Sequence, residues 1–193
     1  MSYQETLPRI RISRDDMMKR VARFDQLTGF DGGLPDSNMP GCERILYNVI
    51  GFQPPAGEGG AVTSPVGEQA SRLAAIKIQE GFNLGYCRAL PGHGPMLHNH
   101  DTNETFMPVA GVWRITWEGD AGNESVELDP LDVISIPPHL HRQFHCLSAP
   151  AGKAKGVMLV VIGGDQPAAE FSPEAEAILM ARGLMPPAQK RAS

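Results

Sequence analysis

The chain has 193 residues, 41% hydrophobic and 20% charged, with a formal net charge of −5 at pH 7 and an isoelectric point near 5.7. This length suits one domain with an appended arm rather than two full domains. The acidic balance leaves no broad basic surface for nucleic acid or anionic lipid, so neither partner is expected.

Twenty-one glycines and 17 prolines point to a loop-rich, β-leaning protein rather than a helical bundle. The start, Met1 to Thr6, lacks the basic and apolar regions of a secretory signal, which makes the cytoplasm the default expectation. The longest apolar run, Val157 to Ile162, is too short to span a bilayer and reads as a buried strand. Cys42, Cys87 and Cys146 are odd in number and lack C-x-x-C spacing, so reduced thiols are the simplest reading, with a ligand or redox role for Cys146 left open.

In chain order, Ser13 and Asp16 resemble a capping box. Met17, Val21, Phe24 and Leu27 then share a face before Gly29, predicting a helix over about 14–28. Arg44 to Ile50 has the β-branched and aromatic content of a strand, suited to a sheet edge. Residues 53–71, rich in Gly, Pro, Ser and Ala, predict a long loop. From about residue 73 short strand-like runs succeed one another: 74–78, 82–90, 104–109, 113–117, 125–128, 133–136, 143–147 and 155–162. Such spacing marks an antiparallel sandwich or barrel. Gly119 to Asn123 reads as a hairpin turn. Ser172 as N-cap, Pro173 at the first helical position and Gly183 at the end delimit a short C-terminal helix that packs through Ala175, Ile178 and Leu179. The implied organisation is a helix and arm over 1–72, a β-barrel over 73–165, and a helix and tail over 166–193.

All six histidines lie between positions 93 and 145, as His93, His98, His100 and then His139, His141, His145. In a strand, His98 and His100 present two imidazoles to one face, and Glu104 follows with matching parity after a turn at Asp101–Asn103. With one imidazole from a neighbouring strand these residues form an N₃O set suited to Fe(II), Mn(II), Ni(II), Cu(II) or Zn(II).

The spacing Gly92, five residues, His98-x-His100, three residues, Glu104, six residues, Gly111 resembles the first motif of the cupin superfamily, and the resemblance covers about residues 73–163. It implies an all-β, double-stranded β-helix (jelly-roll) barrel around one divalent metal, with Fe(II) favoured. The second motif departs from the family pattern. Leu131-Asp132 stands where Gly-Asp is usual, Pro137 follows at the expected gap, His139 occupies a glycine position, and His141 arrives one residue early. His141 is the expected third imidazole and His139 the runner-up. If His141 faces the lumen, so do Gln143 and His145.

The expected set is thus His98, His100, Glu104 and His141 for metal, Glu104 and His145 for proton transfer, and Gln143, Phe106 and Arg114 for substrate. An inward Arg114, Arg88 or Arg142 would suit a carboxylate. What the resemblance implies is a metal-dependent enzyme on a small polar or anionic substrate, a dioxygenase foremost. The alternatives are a Lewis-acid isomerase, lyase or hydrolase, or a non-catalytic sensor or carrier. Homodimerisation is expected, with the Arg44 to Ile50 strand adding to a neighbour's sheet.

Overall fold

A computed structural model describes residues 9–51 and 64–185. Among the described residues ten strands form two five-stranded antiparallel sheets that close into a jelly-roll barrel. The first sheet runs β1 (Arg44–Ile50), β2 (Phe82–Ala89), β9 (Gly156–Gly163), β4 (Glu104–Ala110), β7 (Ile134–Ile136). The second runs β10 (Ala169–Phe171), β3 (His98–His100), β8 (Arg142–Cys146), β5 (Trp113–Gly119), β6 (Gly122–Leu128). Three short helices, α1 (Arg14–Met18), α2 (Glu68–Ser71) and α3 (Pro173–Ala181), lie outside the sheets.

Alternation explains the barrel. On β8, Arg142, Phe144 and Cys146 are buried while Gln143 and His145 are only partly so; on β4, Glu104, Phe106 and Pro108 point inward together. Phe106, Trp113, Ile115, Phe144 and Met158 fill one end of the lumen, with Phe106 and Phe144 ring centroids 5.1 Å apart. Burial of each such aliphatic or Phe side chain contributes about 1.5–3 kcal/mol. Trp113 is fully buried in this core.

Several elements differ from the sequence reading. The N-terminal helix ends at Met18 and is followed by a 3₁₀ turn over Phe24–Gln26. Ser13 does cap it, accepting from the Asp16 N–H at 3.0 Å, but no residue of α1 is buried. Without an apolar face against the barrel, propensity and capping sustain little more than a turn. Ala74–Ile78 makes only an isolated bridge, Ile76 to Ile50. Of the expected loop over 53–71, residues 52–63 lie outside the described residues, and α2 occupies part of the remainder. The arm strand β1 does sit at a sheet edge, where it pairs on one side with β2 of its own chain from Arg44↔Ala89 onward. The C-terminal helix forms as expected, with Ser172 Oγ accepting from Ala175 N–H and with Ala175 and Leu179 buried; Ile178 is exposed.

Two non-glycine residues adopt positive φ, Leu131 at 79° and His139 at 66°. Leu131 follows Pro130 in a turn closed by Asp132 N–H to the Asp129 carbonyl at 3.0 Å, a position that favours glycine. Leu131 is also 72% exposed, so its side chain gains little from packing. Leu131→Gly is expected to stabilise the fold by about 1 kcal/mol, read as a higher urea midpoint; a lower midpoint would show that the leucine makes a contact worth more than the strain.

Candidate functional site

Three residues of the first motif converge at one end of the lumen, and each of the two imidazoles is held by a backbone carbonyl. His98 Nδ1 is 2.8 Å from the Met96 carbonyl, and His100 Nδ1 is 2.9 Å from the Ala168 carbonyl. A carbonyl can only accept, so in the neutral imidazoles both Nδ1 atoms carry the proton and both Nε2 atoms present a lone pair. The rings lie 5.3 Å apart between centroids, nearly perpendicular. Glu104, across the Asp101–Asn103 turn, places Oε1 3.6 Å from His100 Nε2, too far for a hydrogen bond. Asp101 steadies the arrangement by accepting from the Ala168 N–H at 2.8 Å.

The fourth position is filled by Arg142. It lies directly across the strand pair from His98 and is 1% exposed. Its Nε donates to Glu104 Oε2 at 2.8 Å, its second terminal nitrogen donates to the same oxygen, and Nη1 donates to the His98 carbonyl at 2.9 Å.

Burial holds the His98 imidazole well below its usual pKa, with Arg142 and His100 adding to the effect. The His100 value is lowered by burial and then by Arg142, against a smaller opposing pull from Glu104. Burial alone would push the Glu104 carboxyl up, but Arg142 and His100 together more than offset it and the carboxyl titrates below its ordinary range.

A second buried ion pair supports this end of the barrel. Asp36, fully buried, accepts from Arg44 Nη2 at 2.9 Å and from the Met96 N–H at 3.0 Å. It thereby fixes the residue whose carbonyl orients His98. Nothing in the local sequence marks Asp36, which lies in a 3₁₀ turn over Pro35–Asn38. Next to the imidazoles is a small hollow, part of it open to solvent, walled by Leu46, Val66, Phe144, Val160 and Ile162 and reached by Arg44 and Tyr47. An apolar hollow with a few convergent polar atoms is the usual form of a small-ligand site.

The other expected residues lie elsewhere. His141 is outside the lumen, with Nδ1 2.8 Å from Glu118 Oε2 and Nε2 3.3 Å from Asn99 Nδ2, and Asn99 points opposite to His98 and His100. His139 sits on the positive-φ turn and is exposed. Gln143 faces an outer groove with Glu118 and Ser172. Arg114 is exposed and bonded to Glu127, and His145 pairs across the strand from it, so neither reaches Glu104. Phe106 does face inward but fills the core. Cys146 is inward too, its thiol donating to the Ser148 carbonyl at 3.3 Å and pushed up by burial, which makes it unreactive.

The cause is a one-residue difference in register. Positive φ at Leu131 and His139 falls on the two positions where the second motif has glycine, so the motif is counted from Leu131. Continuing that count, Arg142 occupies the histidine position and Cys146 the asparagine position. A one-residue slip in a strand turns every side chain to the opposite face, which removes His141, Gln143 and His145 from the lumen together.

No protein-family model and no curated protein matches the chain. Solved structures do. A proposed sugar phosphate isomerase from Acidithiobacillus ferrooxidans is similar over 82% of this chain and 85% of its own, with TM-score 0.54 and 14% identity. A cupin-superfamily sugar phosphate isomerase from Silicibacter pomeroyi is similar over 78% and 80%, with TM-score 0.48 and 18% identity. The chain is cupin-like in fold. An oxalate oxidase in complex with the substrate analogue glycolate is similar at 20% identity and TM-score 0.42; the match covers 48% of this chain and about half, 47%, of the oxidase chain.

Among the described residues the expected set of His98, His100, Glu104 and His141 is not brought together, because His141 bonds Glu118 outside the lumen. Among the described residues no group of three or more His, Cys, Asp or Glu is placed to hold a metal ion. The carboxylate that would ligate is engaged by a guanidinium, and the third imidazole is replaced by that same guanidinium. No helix of the described residues is long and apolar enough to cross a membrane.

Proposed function

We propose that this cupin binds, and is poised to act on, a small hydroxyl-bearing molecule in its lumen. The observation that carries this reading is the convergence of acceptors: His98 Nε2, His100 Nε2 and Glu104 Oε1 face one apolar cavity with no donor between them. Buried acceptors need donors, and hydroxyl groups supply them. A neutral polar ligand suits the site better than an anionic one, because the Arg44 and Arg142 guanidiniums already hold carboxylates. With its pKa held low by burial, His98 stays neutral and can accept a hydrogen bond from a bound hydroxyl.

The metal-dependent dioxygenase or isomerase reading has one observation in its favour. A ring anchored through Nδ1–H to a carbonyl, with Nε2 turned inward, is how ligating histidines are held. Arg142 weighs against it.

A thermal-shift and imidazole-NMR panel of small polyols, sugars, diols and hydroxy acids tests the proposal. At least one neutral hydroxyl-bearing member is expected to raise the melting temperature and move the His98 Nε2 signal, with both responses lost in His98→Ala. A panel in which only anions respond, or in which His98→Ala responds as well as the native chain, would overturn it.

A further inference from the structure

We infer that Arg142 takes the place of a divalent metal in this barrel, so that the lumen's resident cation is a guanidinium and the protein works without a bound metal ion. The inference deepens the lumen-binding reading and rests on it for what the site is used for.

Three observations carry it. The first is position: Arg142 is cross-strand to His98, inward and buried, on the residue that the turn geometry at Leu131 and His139 assigns to the third imidazole. The second is occupancy. The guanidinium is bonded to the Glu104 carboxylate through Nε and a terminal nitrogen and to the His98 carbonyl through Nη1, so it is tied to the very strand that bears both imidazoles.

The third observation is charge. With Glu104 neutralised by Arg142, the remaining donors are two uncharged imidazoles. A divalent ion seated on them would bring two positive charges into a buried site beside an existing one, with no anion left to balance them. His141, the third imidazole expected from the sequence, is committed to Glu118 and Asn99 on the outer face.

Arginine suits this role where lysine would not. Its planar fork spans a carboxylate and a carbonyl at once and stays charged when buried. The result is a polar cluster whose net charge is near zero, facing the cavity with lone pairs rather than with an open coordination position.

The test is metal binding, read independently of any activity. Untagged protein purified without chelator is analysed for metals and titrated anaerobically with Co(II), following visible absorption and calorimetry, alongside His100→Ala, Arg142→His and Arg142→His/His100→Ala. The native chain is expected to hold no stoichiometric metal and to give the same Co(II) response as His100→Ala. Arg142→His frees Glu104 and supplies the missing imidazole, and should gain one equivalent of Co(II), binding at least about 100-fold tighter than the native chain, because even outer contacts of a ligand change affinity about 10–100-fold. The double variant should lose it.

Stoichiometric metal in the native chain that disappears in His100→Ala overturns the inference and leaves the polyol panel to judge lumen binding. A folded Arg142→His that binds no Co(II) also overturns it, since Arg142 would then not stand at a ligand position. Should Arg142→His fail to fold, the comparison of native chain with His100→Ala decides alone.

Discussion

Glu104→Ala is expected to lower the unfolding free energy by about 3–5 kcal/mol, read as a drop in the urea midpoint with an unchanged slope. Arg142 and Glu104 are 1% and 3% exposed at their side chains, and removing the carboxylate leaves a charged guanidinium in the barrel with only the His98 carbonyl for company. Arginine cannot shed its proton to escape the cost. Replacing both partners by apolar groups of similar volume, as in Glu104→Leu/Arg142→Met, removes the buried charges together. That double variant should be near neutral or more stable by about 1–4 kcal/mol, while losing any response to lumen ligands. A Glu104→Ala midpoint equal to the native one would mean that water reaches Arg142.

The same residues set the acid limb of stability. Glu104 has a folded pKa below its unfolded value, so its contribution is fully present above about pH 4.3 and is lost as pH falls through the lowered folded value. His98 and His100 are also lowered, so the unfolded chain takes up protons on them first. Their contribution is complete above about pH 6.5 and declines as pH drops below it. Two steps of destabilisation on acidification are therefore expected, and Glu104→Leu/Arg142→Met should abolish the lower one.

Asp36→Ala is the second large effect, again about 3–5 kcal/mol, because it strands the buried Arg44 guanidinium. It also has a consequence at a distance. Asp36 accepts the Met96 N–H, and the Met96 carbonyl accepts from His98 Nδ1, so the His98 ring loses its support. Asp36→Asn keeps the shape and one acceptor, and should cost less, about 1–3 kcal/mol. Imidazole NMR separates the two roles: in Asp36→Ala the His98 signals should shift and broaden while those of His100, anchored to Ala168, stay put. Equal perturbation of both rings would show a general loosening of the barrel instead.

Much of the fold was legible locally. Alternating β-branched and aromatic runs marked β1, β2, β4, β5, β6, β8 and β9 to within a few residues, since each has one face in the core. The misses have physical causes. β10 is three residues long and exists through pairing with β3, a partner about 70 residues earlier. The N-terminal periodicity promised a long helix, but Met17, Met18 and Val21 stay exposed, and Phe24 meets Tyr47 and Tyr86 of the barrel from a 3₁₀ turn rather than from a helix. At the site, the His98-x-His100 spacing and the parity of Glu104 follow from strand geometry alone. The buried pair Asp36–Arg44 carries no motif and appears only when β1 packs beside the Gly94–Leu97 segment.

The sequence by itself determined the β class, the strand-by-strand alternation and the first-motif half of the site, because those depend on period-two geometry within a single strand. Only the tertiary structure decided which residue of the Leu140 to Cys146 run enters the lumen. That choice depends on the turn through Pro137, Pro138 and His139, whose positive φ sets the parity of everything after it. One residue of register exchanges an imidazole for a guanidinium, and with it a metal ligand for a fixed cation.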